Sequence, residues 1–318
     1  MRVKIIIITF LIIHGYFYTL AQRVPNESEN IDYLVTFGQD APPSTGDDDH
    51  VQIIFFVVPY SHRQPVYLRI FDPDMGNKHD EMVGAPNTFT RFSVYGGKGA
   101  FSSKEAREIT LTSNFKTGNL LASKVFGNDV QFDSEWYIMG PFNPLEGEEI
   151  STFNGYLLKI VVEGLKGNDG NHYRFFLSEE TGRNKSIEGA NAFAYNYTFK
   201  LHKAQTLAHI YPFIEKSVIS ITQHNFDFDD DGEILIYTVS KNRVKAKSSG
   251  DNVWAFSVHP ITENEKNLTM DIQIQKISSQ ENTMTVYITN QYNEAVPFFA
   301  LPIGGPPKYK YNLKVTTK

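Results

Sequence analysis

The spacing with the plainest chemical use is Asp227-Phe228-Asp229-Asp230-Asp231-Gly232, where carboxylates fall at positions one, three and five and a glycine at six. A hard cation such as calcium takes roughly six to eight oxygen ligands, and alternate carboxylates on a tight turn converge on one point while the glycine lets the backbone reverse. Asp227, Asp229, Asp231 and the following Glu233 are therefore the candidate ligands, and calcium is the expected ion. The same residues also build plain acidic turns between strands, since Asp and Gly are the usual residues of such turns. A second, weaker set is Asp72, Asp74 and Asp80, around the turn Asp72-Pro73-Asp74-Met75-Gly76. Asp47-Asp48-Asp49-His50 carries less information, because consecutive like charges repel and stay hydrated.

The six residues from Asp227 to Gly232 resemble the first half of calcium loops of the EF-hand and dockerin kind. The resemblance implies a cation site and nothing about helix pairing, since position twelve is Thr238 instead of a bidentate glutamate and Glu233–Val239 alternates like a strand. The phrases Phe71-Asp72-Pro73-Asp74 and Phe226-Asp227-Phe228-Asp229 echo each other, but four residues do not establish an internal duplication.

Covalent catalysis has little footing. The chain has no cysteine, which removes disulfides, thiolate metal sites and a thiol nucleophile together. Neither a Gly-x-Ser-x-Gly elbow nor a His-Glu-x-x-His pair occurs, and Gly96-Gly97-Lys98-Gly99 lacks the spacing of a phosphate-binding loop. Glycoside cleavage stays open as an alternative, because it needs only two acids that meet in space. Asp133, Glu135 and Glu163 lie near expected strands, with nothing in the sequence to select a pair. The chain is rich in rings, with 24 Phe, 17 Tyr and 2 Trp. Trp136 and Tyr137 are neighbours in an expected strand and must point to opposite faces, so one of them is a candidate surface residue for ligand binding. Trp254 alternates with Phe256 and Val258 and reads as interior.

The elements that must hold these residues are strands. Period-two alternation recurs in Val66–Phe71, Phe89–Tyr95, Tyr156–Glu163, Tyr173–Ser178, Phe193–Leu201, Ile234–Ser240, Leu268–Gln275, Met284–Asn290 and Tyr309–Val315. Ile53–Val58 is apolar throughout, as a central strand covered on both faces would be. One short helix is expected over Lys104–Glu108, opened by a capping box from Ser102 to Glu105. No helical pattern is long enough to cross over between parallel strands. The expected architecture is all-β, with two antiparallel β-sandwich domains in tandem. Residues 22–50 form an N-terminal arm and loop, 51–202 the first sandwich and 203–318 the second, with the join at His202–Thr206.

Arg2 and Lys4 precede the apolar run Ile5–Ile13, and Thr19-Leu20-Ala21 closes it with small residues, so residues 1–21 read as a secretory signal peptide. The apolar run is shorter than the ~18–20 residues of a spanning helix, and no later stretch approaches one. With 30 basic against 36 acidic residues and a net charge of -6, nucleic acid is not an expected partner. Together these features predict an exported binding or adhesion protein, periplasmic, cell-surface or extracellular, whose partner is an envelope or extracellular glycan or protein. The alternatives are a carbohydrate-active enzyme and a structural component of a cell-envelope assembly.

Overall fold

The structure is a computed structural model and describes residues 22–48, 50–76, 78–108, 114–201 and 207–304. The expected signal peptide, the join at 202–206 and the strand Tyr309–Val315 lie outside the described residues. In chain order the strands of the first two hundred residues are β1 (Arg23–Val24), β2 (Leu34–Phe37), β3 (Val51–Pro59), β4 (Val66–Phe71), β5 (Phe89–Gly96), β6 (Asn119–Phe126), β7 (Trp136–Phe142), β8 (Glu148–Ile150), β9 (Gly155–Lys166), β10 (Gly170–Ser178), β11 (Asn191–Ala194) and β12 (Asn196–Leu201). There follow β13 (Leu207–Ile210), β14 (Phe213–Ile214), β15 (Ser220–Phe226), β16 (Gly232–Tyr237), β17 (Val244–Ala246), β18 (Trp254–Pro260), β19 (Leu268–Thr269), β20 (Asp271–Lys276), β21 (Asn282–Asn290) and β22 (Phe298–Phe299). The helical elements among the described residues are short 3-10 turns, and no described helix is long and apolar enough to cross a membrane.

The fold is all-β with antiparallel pairing, as the alternation predicts, and two main sheets dominate it. A nine-stranded sheet runs β18-β15-β21-β12-β2-β10-β4-β7 with β1 beside β10, and a seven-stranded sheet runs β22-β11-β3-β9-β5-β6 with β8 beside β9. A four-stranded sheet, β13-β20-β16-β17, and the pair β14-β19 complete the structure. One apolar core joins Leu68, Phe175 and Phe199 of the nine-stranded sheet to Phe56, Phe92 and Ile160 of the seven-stranded one. Ile234, Ile236, Ile272 and Ile274 of the four-stranded sheet enter the same core beside Ile221 and Val286. Strands from the two sides of the join are hydrogen-bonded directly, because β12 pairs with β21 from Asn196↔Tyr287 to Leu201↔Asn282.

β3 lies between β11 and β9, and the reverse face of its sheet carries a second cluster built on Phe55, Phe193 and Phe299. Cover on both faces explains why Ile53–Val58 shows no alternation.

Four local expectations are corrected. Phe193–Leu201 is not one strand with one buried face. It breaks at Tyr195, β11 pairing with β3 in the seven-stranded sheet and β12 with β21 in the nine-stranded one, so Phe193 and Tyr197 end in different clusters. A chain that passes between packed sheets at a corner keeps its period while its face changes. The stretch Val24–Asn30, expected as an exposed part of the N-terminal arm, is held against the sheets, with Val24, Asn26 and Glu29 buried and β1 paired with β10. The capping box at Ser102 does not form. The turn starts at Lys104, and the Ser102 hydroxyl instead donates to Glu148, which also accepts from the backbone N–H of Gly99 at 3.0 Å and of Ser102 at 2.9 Å. Trp254, Phe256 and Val258 face outward at 37, 63 and 61% exposure, because the small Ala255 and the alternate His259 take the inner side of β18.

Candidate functional site

Asp227 follows the last residue of β15, and the chain there turns through three left-handed residues, Asp227, Asp229 and Asp230, with φ of 58°, 57° and 51°. Aspartate tolerates this region better than most side chains, so the carboxylates themselves make the reversal. Gly232 opens β16 and serves another need: a Cβ there would lie 2.0 Å from the Gln275 carbonyl oxygen of β20, so only glycine lets the two strands meet. The loop after β17 is stitched to this turn. Asn225 donates to the Lys247 carbonyl at 2.8 Å and accepts from the Ser249 N–H at 2.7 Å, while Ser249 accepts from the N–H of Phe228 at 2.9 Å and of Asp230 at 2.8 Å.

The stitching carries Asp251 to the turn. One oxygen from each of Asp227, Asp229 and Asp251 lies within 4.8 Å of the others, a spacing that a single ion with metal–oxygen bonds of about 2.4 Å spans. This three-aspartate cluster can hold a metal ion. Asp227 is buried and accepts the Asn252 N–H at 2.6 Å, whereas Asp229 and Asp251 are exposed and open the cluster to solvent. Burial, then the charges of Asp229 and Asp251, push the Asp227 carboxyl up to about 7, against the pull of the Asn252 N–H. Burial and the charges of Asp251 and Asp231 also raise Asp229. Acids crowded in this way favour either a proton or a cation.

The other expected ligands are engaged elsewhere. Asp231 accepts from the Ser278 N–H at 2.7 Å and from its hydroxyl, with Lys276 Nζ at 3.6 Å. Glu233 pairs with Lys245 at 2.6 Å and Arg243 at 3.3 Å. Asp251 lies outside the Asp227–Gly232 spacing, and nothing in the linear sequence ties it to Asp227. In the weaker set, Asp72 accepts from the Ser134 N–H at 2.8 Å and Asp74 from the Phe132 N–H at 3.1 Å. Asp80 turns away to the N–H groups of Gly76 at 2.8 Å and His172 at 2.9 Å. Of the acids weighed for glycoside cleavage, Glu163 belongs to β9 and pairs with Lys116 at 2.5 Å, while Asp133 and Glu135 precede β7 in the other main sheet.

Trp136 and Tyr137 do point to opposite faces. Tyr137 packs inward on Phe126 and Phe132, with ring centroids 4.9 and 5.2 Å away. Trp136 lies on the outer face, 5.3 Å from the Phe71 ring and 5.0 Å from the Arg69 guanidinium. At the far end of the same face Trp254 stands 5.1 Å from the Phe226 ring, and its indole N–H donates to Asp48 at 2.8 Å. Between the two ends the loops after β2 and β4 cross the face, where Gly46 accepts from Thr285 and His79 meets Tyr33.

No protein-family model matches the chain, and no curated protein matches it. Among solved structures it is similar to the N-terminal CBM22-1-CBM22-2 tandem domain from Paenibacillus barcinonensis Xyn10C, at 7% identity over 81% of this chain and 78% of that one. The TM-score is 0.19, too low for that likeness to bear on topology or ligand.

Proposed function

We propose that this chain is an exported, non-catalytic binding or adhesion protein that presents the outer face of its nine-stranded sheet to an envelope or extracellular glycan or protein. One observation carries the reading: both tryptophans of the chain, Trp136 and Trp254, lie on that outer face at its two ends instead of in the core. Tryptophan is on average highly buried, and rings grouped with other apolar side chains at a surface mark contact sites. The leader-like residues 1–21 support export, and the cysteine-free composition is compatible with an oxidising compartment.

Calcium at Asp227, Asp229 and Asp251 is the proposed ion, held between the β15–β16 turn and the loop after β17. Bound there, it would neutralise three crowded carboxylates and fix one end of the presenting face. The cluster supplies only part of a calcium shell from side chains, so the affinity belongs to the modest range of extracellular modules, roughly 10⁻⁴–10⁻³ M.

The test incubates purified residues 22–318 with panels of polysaccharides and peptides and follows both retention and products. Retention without turnover, lost in Trp136→Ala or Trp254→Ala while the melting curve stays cooperative, supports the reading. Reproducible cleavage would replace it with the enzyme alternative. Co-purification with a large envelope complex and no retention of free ligands would favour the structural component.

A further inference from the structure

We propose that residues 309–315 of this chain add to the open edge of β18 as an antiparallel strand, and so widen the outer face of the nine-stranded sheet at its Trp254 end. The proposal goes beyond the binding reading above and does not depend on a ligand.

β18 ends the nine-stranded sheet: β15 lies on one side of it, and no described strand pairs with the other. Such an edge leaves a row of backbone N–H and C=O groups without partners, and folded proteins keep exposed edges short, charged or covered. β18 is seven residues long and holds no lysine, arginine or carboxylate, and its outward side chains are Trp254, Phe256, Val258 and Pro260. Phe256 and Val258 are among the most exposed large apolar side chains described. Behind them the Phe256 ring lies 6.2 Å from His224 and the Trp254 ring 5.1 Å from Tyr287, with His224 and Tyr287 stacked at 4.3 Å, so the apolar surface is continuous from β21 to the edge. A patch of this kind marks a contact site.

The chain itself supplies the cover. Fourteen residues follow Gly304 in the sequence, and among them Tyr309, Tyr311, Leu313 and Val315 alternate with Lys310, Asn312 and Lys314. They start from the Pro260 side of β18. Just past Pro260 the Ile261 N–H donates to the Ile219 carbonyl, the turn Glu263–Glu265 folds the connection back, and the Thr269 hydroxyl donates to the Ile303 carbonyl at 3.0 Å. Residues 304–308 span up to about 17 Å when extended. A segment that meets β18 at Pro260 runs opposite to it, toward Trp254. With Tyr309 opposite Pro260, Tyr311 meets Val258, Leu313 meets Phe256 and Val315 meets Trp254, so every outward residue of β18 gains an apolar neighbour of the kind that stabilises a sheet. A slip of one residue would set lysines against these rings. The same register carries Lys318 to the end where Asp48, Asp229 and Asp251 are exposed, and residues 305–318 hold four lysines and no acid. Lysines along the added strand would also guard the new edge against further pairing.

The chain has no cysteine, so paired replacements read the contact directly. In residues 22–318, Phe256→Cys with Leu313→Cys and, one register step along, Ser257→Cys with Asn312→Cys are oxidised in dilute solution. Opposed residues of antiparallel strands stand about 4.5 or 5.5 Å apart at Cα, and both distances suit a disulfide. The expected result is a disulfide within one chain in at least one pair, seen as linked tryptic peptides from a monomer. The yield should be at least tenfold lower for Ile138→Cys with Leu313→Cys, which probes β7 at the opposite edge of the sheet. In hydrogen exchange, Tyr311→Pro with Leu313→Pro should speed exchange in β18 at least tenfold and leave β4 unchanged, because proline cannot donate to a ladder. No disulfide in either pair, an equal yield with Ile138→Cys, or unchanged exchange in β18 overturns the proposal. Disulfide-linked dimers in place of the bond within one chain also overturn it, and would make the segment of a second copy the occupant of this edge.

Discussion

At one end of the nine-stranded sheet Phe71 closes β4 opposite Trp136, the first residue of β7; at the other Phe226 closes β15 opposite Trp254, the first residue of β18. In each case the next residue is a buried left-handed aspartate, Asp72 with φ 60° or Asp227 with φ 58°. Each aspartate accepts the N–H of a left-handed residue two places before the tryptophan, Ser134 in one case and Asn252 in the other. The shared parts close a strand pair: the carboxylate satisfies an N–H that the turn leaves over. The parts that differ are the ones suited to ligands. Arg69 occupies the place of His224, Pro73 that of Phe228, and Asp133 that of Asp251. The same acidic frame yields a three-carboxylate cluster only at the β15 end, where Ser249 and Asn225 hold the second loop against the turn. At the β4 end the residue beside the tryptophan is Arg69, whose guanidinium lies 5.0 Å from the Trp136 ring.

The largest effect should separate Phe228 from Pro73. The Phe228 ring is fully buried in the core shared by the sheets, so Phe228→Ala should cost about 3–5 kcal/mol in denaturant unfolding. Pro73→Ala removes little packed volume and should cost about 1 kcal/mol or less. Equal losses would mean that the two turns bear the same structural weight, and the comparison would fail at its strongest point.

Calcium should act on one end alone. At 10 mM calcium, with an affinity in the proposed range, binding to the folded state adds about 1.4–2.7 kcal/mol and raises the melting temperature. Asp229→Ala and Asp251→Ala should abolish the rise, and Asp74→Ala should leave it intact. A rise that survives Asp251→Ala would remove the cluster from the account, and magnesium should substitute poorly.

Much of the frame was legible in the sequence because it is periodic. Val66–Phe71 is read with its observed limits, and Tyr156–Glu163 and Met284–Asn290 fall short only at their ends, since alternation follows from the two-residue repeat of a strand. What stayed hidden depends on which strands are neighbours. Phe193–Leu201 keeps its period while changing sheets, and Trp254 keeps its period while its stripe faces water on an edge strand, because alternation names two faces without saying which is inside. In the candidate metal cluster, Asp227 and Asp229 were visible through their spacing. Asp251 was not, since it arrives through the side-chain stitching of Asn225 and Ser249. The echo of Phe71–Asp74 in Phe226–Asp229 gains its meaning only from the tryptophans paired across from it.

The two ends should also respond differently to acid. Burial lowers the His224 imidazole to about 4, against about 6.5 when unfolded, so the unfolded chain takes up the proton first as pH falls. The contribution of His224 to stability is therefore present above pH 6.5 and declines between about 6.5 and 4. His224→Gln should flatten the stability curve in that window relative to the wild type, measured by urea unfolding at stepped pH. Arg69→Met, at the matching place of the other end, should shift the curve without changing its slope there, since the guanidinium does not titrate near those pH values. A slope change in Arg69→Met as large as that in His224→Gln would show that the ends are coupled through the sheet.

The smallest effects test whether the two tryptophans act independently. Trp254 donates to Asp48 at 2.8 Å, so a double-mutant cycle of Trp254→Phe with Asp48→Ala should give a coupling of about 0.5–1.5 kcal/mol. Trp136 meets the Arg69 guanidinium at 5.0 Å, and Trp136→Leu with Arg69→Met should give a coupling of about 0.5–1 kcal/mol, the range for a ring and a cation. The crossed cycle, Trp136→Leu with Asp48→Ala, pairs residues with no shared partner and should be additive within about 0.3–0.5 kcal/mol. Additivity there, beside measurable coupling within each end, would mean that β2, β10, β12 and β21 insulate one tryptophan end from the other, so that calcium at the β15 end leaves the Trp136 end unaltered. A crossed coupling as large as the two direct ones would instead make the sheet a single responsive surface, and calcium would then be expected to change the Trp136–Arg69 coupling.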